Sequence, residues 1–350
     1  MKRILFANFA ECPENLHFEQ AFIRGLKDGA CVSLDIIHDF RFPYSFIKNL
    51  PPPGGGRRIR PASLAGLKRE LERSYDLLAL LDFPKRKSCA AAFVWLLKNL
   101  ECQRKVFLAN HLLPMPGHNP TADIVRKLKL LRVLDAAHIL EFDDRDLWMH
   151  TGLEAAKIFK RGYGVDCRYY RPGGEAGGDY VFSAGSAGRD FSELARAVKR
   201  TGLALKIFSD AKLPPFGTAV KGSVEALPFA GNLHNLKSAA LGARLVALPI
   251  ADSHINEAAG NSIAFIAMAL GKPVIIRRTR YMERFIEDGK TGFFYEKLSA
   301  ASLARQFDRA LSLTPAALKN LGRSARAVIL KKASLDAIAA RFAGEFVFNP

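Results

Sequence analysis

Cysteine is scarce in this 350-residue chain: Cys12, Cys31, Cys89, Cys102 and Cys167 are the only five, odd in number and scattered. No Cys-x-x-Cys pair or zinc-finger spacing occurs, which argues against a disulfide framework or a structural metal and fits a reducing compartment. Long apolar runs are missing too, none approaching the roughly 18 residues of a membrane span. The opening MKRILFANFAECPEN is too brief in its apolar part for a secretory signal and reads as a first buried strand. A cytoplasmic protein is expected. Acidic residues are the third shortage: 34 Asp+Glu stand against 52 Lys+Arg, a net charge of +18 spread over both halves. Such a field attracts phosphate-bearing partners, whether nucleic acid, anionic lipid or nucleotide-linked substrates. No zinc finger, RNA-recognition aromatic signature or basic zipper accompanies the charge, so nucleic acid is not the expected partner.

What is present is ordinary globular composition, 49% hydrophobic and 25% charged. The length suits two domains of about 150–180 residues each. Strand-like and helix-like segments alternate throughout. Strands are expected at 3–8, 31–38, 75–83, 105–110 and 138–142, with helices at 15–28, 89–100 and 121–137 between them. PPPGGGRRIRP (51–61) reads as an exposed loop inside this first domain. PGGEAGG (172–178) is the best linker, and the pattern restarts after it. Strands at 179–185, 203–210, 244–250 and 273–278 are interleaved with helices at 191–202 and 231–243. Helices at 300–312, 314–330 and 334–344 follow. Short buried strands separated by helices of this length imply βαβ units and a parallel sheet. The expected domains are 1–172 and 173–350, the last helix returning to the first domain.

One stretch stands apart. Gly260-Asn261-Ser262 opens IAFIAMALGKPVII, a helix apolar on every side that must be buried. Asn261 or Ser262 can cap it, Gly271 suits its left-handed end, and Pro273 forbids continuation. The body is core. The start is different: Gly260 allows close approach, and the first amides are unpaired donors at a partly positive end. In an open parallel sheet that end lies at the carboxyl edge of the strands, where ligands bind, and a phosphate is a natural guest.

The stretch GNSIAFIAMALGKPVIIRRTRYMERFIEDGKTGFFYE is similar to the donor-site signature of retaining, group 1 (family 4-like) GT-B glycosyltransferases. YGVDCRYYRP (163–172) resembles that family's interdomain segment, and AGSAGRDFSELARAV (184–198) resembles the strand–loop–helix opening its donor domain. The resemblance implies an α/β chain of GT-B-like fold, two doubly wound Rossmann-like domains facing across a cleft. It implies a hexosyltransferase that needs no metal and no cofactor, with a nucleotide-diphosphate sugar as co-substrate. The acceptor implied is a glycan or lipid-linked molecule of cell-envelope or surface polysaccharide synthesis. Carried over by position, Gly185, Gly260, Asn261 and Ser262 would bind the donor, the last three by presenting amides to its diphosphate. Arg189 would neutralise the leaving nucleotide, a task for a fixed guanidinium; its plain alternative is a surface ion pair with Asp190 or Glu193. Glu257 lies one residue out of register with the family's first glutamate and would contact the sugar.

The chain departs from the family at Ile266, where a second glutamate normally holds the nucleotide ribose. A non-catalytic GT-B protein that binds a nucleotide sugar or scaffolds a partner enzyme is therefore the alternative reading. In the first domain, His111 follows a strand and is a candidate catalytic contact, with His118 behind it. Asp82, at another strand's carboxyl end, reads as an acceptor-side base or as a turn Asp, the turn being favoured. Basic clusters (Arg57, Arg58, Arg60; Lys68, Arg69, Arg73; Lys85 to Lys87; Arg126, Lys127, Lys129, Arg132) beside FPYSFIKNL suit docking on an anionic membrane surface. A peripheral location on the inner face of the membrane follows from that.

Overall fold

The structure is a computed structural model. It describes the chain apart from residues 1, 10–12, 28–31, 39–55, 60–62, 72–73, 85–86, 111–121, 142–144, 174–177, 215, 217–223, 229–232, 255–256 and 349–350. The chain forms two compact units, Met1–Tyr163 with Leu335–Pro350, and Gly164–Ser334.

The first unit runs β1 (Lys2–Asn8), α1 (Pro13–Lys27), β2 (Val32–His38), β3 (Arg57–Ile59), α2 (Leu64–Glu70), β4 (Ser74–Leu81), α3 (Lys87–Asn99), β5 (Glu101–Leu108), α4 (Ala122–Leu130), β6 (Ala136–Leu140), α5 (Arg145–Trp148) and β7 (Ile158–Arg161). The sheet order is β3-β2-β1-β4-β5-β6-β7, and every neighbouring pair is parallel. Its central strands are apolar without alternation because both faces are covered: Leu77 to Leu81 are all buried. One face packs Phe93, Leu96, Leu128 and Trp148; the other packs Phe18, Phe22 and Phe342.

Two expectations needed correction here. Arg57–Ile59, read as part of an exposed loop, is an edge strand paired with β2. Its Arg57 guanidinium clasps the Asp35 carboxylate at 2.7 and 3.0 Å, a bidentate contact that the Gly-rich flank hid. The helix expected over 121–137 is α-helical only to Leu130, tightens into a 3-10 turn at Leu131–Val133, and gives way to β6 at Ala136. Asp135 forces the change: its backbone N donates to Lys105 O at 2.8 Å while its carboxylate accepts from Lys105 N at 2.7 Å. An apolar helix tail cannot be told from a strand start by periodicity alone.

The second unit runs β8 (Tyr180–Ala184), α6 (Phe191–Val198), β9 (Ala204–Phe208), β10 (Val224–Leu227), α7 (Leu233–Gly242), β11 (Leu245–Ala247), α8 (Asn261–Ala269), β12 (Val274–Arg277), β13 (Phe293–Tyr295), α9 (Ala300–Leu311) and α10 (Pro315–Lys332). Its parallel sheet has the order β10-β9-β8-β11-β12-β13. Asp190 caps α6 by accepting from Ser192 N and Glu193 N. Phe191, Leu194, Ala195 and Val198 then bury one stripe at helical spacing. Thr314 caps α10 with Pro315 in its first turn. The helix packs so closely on the end of α8 that a Cβ at Gly322 would lie 1.9 Å from Gly271 O.

The chain divides at Tyr163/Gly164, ahead of the glycine-rich segment. Residues 164–172 belong to the second unit because its helix α10 holds them. Val165 N donates to Ala333 O at 2.9 Å, and Arg326 donates to Tyr170 O at 3.0 Å and Cys167 O at 3.3 Å. The last helix, α11 (Leu335–Ala343), lies in the first unit against α1. Phe342 meets Phe22 at 5.4 Å between centroids, Arg24 pairs with Asp336 at 2.6 Å, and Gly25 admits the Ala340 backbone.

Candidate functional site

In the second unit the strand order reverses between β8 and β11, so the crevice outside their carboxyl ends is where a ligand is expected. Three of the residues singled out by sequence meet there. Gly185 follows β8 at φ +115, a conformation for which glycine is suited. Its missing Cβ leaves space filled by the Arg189 guanidinium, whose Nη2 would stand 2.9 Å from such an atom. Arg189 itself donates to Ala187 O at 2.8 Å and Ala184 O at 3.4 Å. Its loop is fastened to the β11 exit by Asp190 N to Pro249 O and Ala251 N to Gly188 O, both 2.9 Å. Gly260, at φ +83, approaches the same exit: a Cβ there would lie 3.1 Å from the Ile250 Cδ1. Ile250 is thus the shared neighbour of the Arg189 loop and of the start of α8.

The electrostatics fit an anion. Arg189 pairs with neither alternative partner. Asp190 is spent on capping α6, and Glu193 on Arg196 and on Ala300 N at 2.5 Å. Among the described residues no carboxylate pairs with Arg189. Burial pushes its pKa down to about 10, partly countered by Tyr295, so the guanidinium stays charged at neutral pH. At the start of α8 no side chain caps the helix, and Ala264 N is the first amide bonded in helical fashion, to Gly260 O. Among the described residues the Ser262 and Ile263 amides have no acceptor, which leaves donors at a positive helix end.

Other residues sit differently. Asn261 is 2% exposed; its N donates to Ala258 O at 3.3 Å and its side-chain amide to Glu257 O at 2.6 Å. It braces the turn from within. The Glu257 carboxylate accepts from Tyr281 N at 2.7 Å, joining the α8 start to the segment after β12. Ser262 is half-buried in the first turn, and Ile266 is buried in the body of α8. His111 and His118 lie outside the described residues, as does FPYSFIKNL. Tyr295 is the site residue that sequence reasoning missed. Its hydroxyl bonds to both Leu248 O and Ile250 N, and burial raises its pKa well above the usual phenol value. No local pattern in TGFFYE marks it.

The first unit has its own polar cluster at the switch point between β1 and β4. Asp82, at φ +53, accepts from Asn15 Nδ2 and Asn110 N, both at 2.7 Å. Asn110 Nδ2 donates to Asn15 Oδ1 at 2.7 Å, and Arg161 donates to Asn110 Oδ1 at 3.1 Å. Both Asp82 oxygens are engaged and the residue is buried. It is the turn aspartate, not a base facing an acceptor.

Residues 222–328, which include α8 and the β12–β13 segment, match the family model of glycosyl transferases group 1. The chain resembles the group 1 glycosyltransferases of GT-B fold. No curated protein matches the sequence. Among solved structures, Anabaena HepE in complex with UDP and glucose aligns at TM-score 0.63 and 14% identity, over 99% of both chains. Sucrose-phosphate synthase from Thermosynechococcus elongatus aligns at 0.64 and 13%, over 99% of this chain and 98% of that one. An alpha-glucosyltransferase in complex with UDP aligns at 0.67 and 11%, over 100% of both. At these identities the likeness is one of fold: two units, each a parallel α/β sheet, as GT-B glycosyltransferases have.

Proposed function

We propose that the chain transfers a hexose from a nucleotide-diphosphate sugar to a glycan or lipid-linked acceptor, with retention, in cell-envelope or surface polysaccharide synthesis. The observation that carries the reading is Arg189, a cation without a carboxylate partner among the described residues, beside the uncapped start of α8 at a strand switch point. When the bond between the sugar C1 and the diphosphate breaks, negative charge grows on the leaving oxygen. A guanidinium already fixed in place stabilises that charge without reorganising, and the Ser262 and Ile263 amides add their dipoles. In this proposal no metal is required. The acceptor oxygen takes C1, and its proton leaves with the nucleoside diphosphate. A nucleotide-release assay over UDP-, GDP- and ADP-hexoses tests the reading, and the anomeric configuration of the product tests retention. Release with none of them would sink it.

The buried apolar Ile266, 8% exposed where the related family carries a ribose-binding glutamate, favours a second reading. Here the protein binds a nucleotide sugar without turnover and serves a partner enzyme. Tight nucleotide-sugar binding without release of nucleotide would select it.

The proposal also places the protein against the inner face of a membrane. Among the described residues no helix is long and apolar enough to cross one. Support for docking comes from Arg126, Lys129 and Arg132, exposed on α4 and just after it, with Val133 41% exposed. Met149, 42% exposed, belongs to the segment that packs against α4. Cations around apolar tips suit an anionic bilayer. Co-sedimentation with phosphatidylglycerol vesicles but not with phosphatidylcholine vesicles is expected, and equal binding to both would refute it.

A further inference from the structure

The turn leaving β11 is held by a side chain from two strands away. Tyr295 ends β13, and β12 lies between β13 and β11. The hydroxyl reaches past β12 to donate to Leu248 O at 2.8 Å and to accept from Ile250 N at 2.7 Å. Tyr295, Leu248 and Ile250 are 1%, 0% and 2% exposed, so water cannot replace the phenol, and without it the turn is left with its own Ile250 N to Leu248 O bond at 3.0 Å. The Arg189 loop is registered on this same turn through Pro249 O and Ala251 N. The start of α8 is registered on it as well, since Ile250 and Leu248 methyls would stand 3.1 and 3.5 Å from a Gly260 Cβ.

We infer that Tyr295 is a positioning residue for the anion site, acting through the Leu248–Ile250 turn on Arg189 and Gly260. For its chemistry the inference rests on the donor-site reading above; it adds the residue that keeps the cation and the helix amides in a common frame. Charge stabilisation of this kind depends on donors being placed before the reaction begins, and the phenol bonds fix two elements that share no direct bond in the described structure. Neither Arg189 nor α8 is hydrogen-bonded to Tyr295, so the turn is the bonded route from the phenol to the site, beside the through-space coupling of Tyr295 to the Arg189 charge.

Tyr295→Phe keeps the ring and removes only the oxygen, which isolates the two hydrogen bonds. The control is Ile329→Ala, a core truncation on α10, the helix that meets the opposite end of α8. Amide hydrogen exchange is read first, with no ligand. In Tyr295→Phe, Asp190, Ile250 and Ala251 should lose at least tenfold protection relative to the amides of β8 and β9. In Ile329→Ala their protection should keep its ratio to those strands. Calorimetry with the nucleoside diphosphate that wild type binds is read second; Kd should rise at least tenfold in Tyr295→Phe and stay unchanged in Ile329→Ala. Unchanged relative protection in Tyr295→Phe overturns the clamp. Altered protection with unchanged Kd overturns the positioning role. A wild type that binds no nucleotide overturns the donor-site reading instead, and the exchange data still decide the clamp.

Discussion

Replacing Gly185 by alanine separates the two things that this glycine does. At φ +115 a side chain is strained wherever it points, a cost of about 1–3 kcal/mol in stability. The new methyl would also stand 2.9 Å from Arg189 Nη2, 3.1 Å from Nε and 3.2 Å from Cζ. What it meets is the far end of a flexible side chain, so the guanidinium moves and its bonds to Ala184 O and Ala187 O are lost. A hydrogen bond to a charged group contributes about 1.5–3 kcal/mol. Losing the cation from a bound diphosphate should therefore raise Kd about 10- to 150-fold. The assay is calorimetric titration of nucleoside diphosphate into wild type, Gly185→Ala, Arg189→Ala and the double variant, each below its melting range. If the glycine acts by seating the arginine, the double variant binds no more weakly than Arg189→Ala alone. Losses that multiply in the double variant would refute the reasoning, because contacting residues in one mechanism are not additive.

Gly322→Ala should destabilise the second unit by 3 kcal/mol or more, about the upper range for overpacking, since its Cβ would collide with Gly271 O at 1.9 Å; urea melts check this. Burial, aided by the Arg161 charge, pushes His138 down to about 3 from 6.5 in spite of Glu345 at 3.7 Å. The unfolded chain then binds the proton more readily, so this contribution is complete above about pH 6.5 and is lost as pH falls toward 3. Its slope is about 1.4 kcal/mol per pH unit, and His138→Phe should show that much less acid sensitivity in melts between pH 6 and 4. Asp82→Ala strands the Asn15 amide and Asn110 N and should cost about 2–6 kcal/mol at one to three per group. A denaturation midpoint within error of wild type would refute the hub assigned to it.

The sequence was most readable where local chemistry and tertiary packing ask for the same residue. Gly271 and Pro273 end α8 as expected, a left-handed end and a stop each having one good solution, whereas the cap expected from Asn261 or Ser262 is absent because the left-handed Gly260 holds that position and Asn261 is already helical. The apolar body of α8 and the runs of β4 and β5 announced buried elements of a parallel sheet. Gly185 and Arg189 came from the family resemblance, carried over by position, and the structure shows how the two fit: the glycine lacks the atom that would displace the guanidinium. The edge strand at Arg57–Ile59 was hidden because its partner contact, Asp35, lies 22 residues away. Tyr295 was hidden more deeply, its partners being 45 and 47 residues away and both backbone atoms. At Asp82 the turn role favoured from sequence is the one its bonds to Asn15 and Asn110 bear out, though the residue type alone does not decide it. A carboxylate at a strand end looks alike whether it faces a ligand or binds three elements of its own fold.

The central claim is that the second unit binds a nucleotide through Arg189 and the start of α8. Thermal stabilisation by UDP, GDP and ADP, measured on wild type and Arg189→Ala, tests it most directly. A ligand bound only by the folded state adds about 2.7 kcal/mol at a hundredfold excess over Kd. The account predicts a rise in melting temperature with one of the three, lost in Arg189→Ala. No rise with any nucleotide, or an equal rise in both proteins, would contradict it.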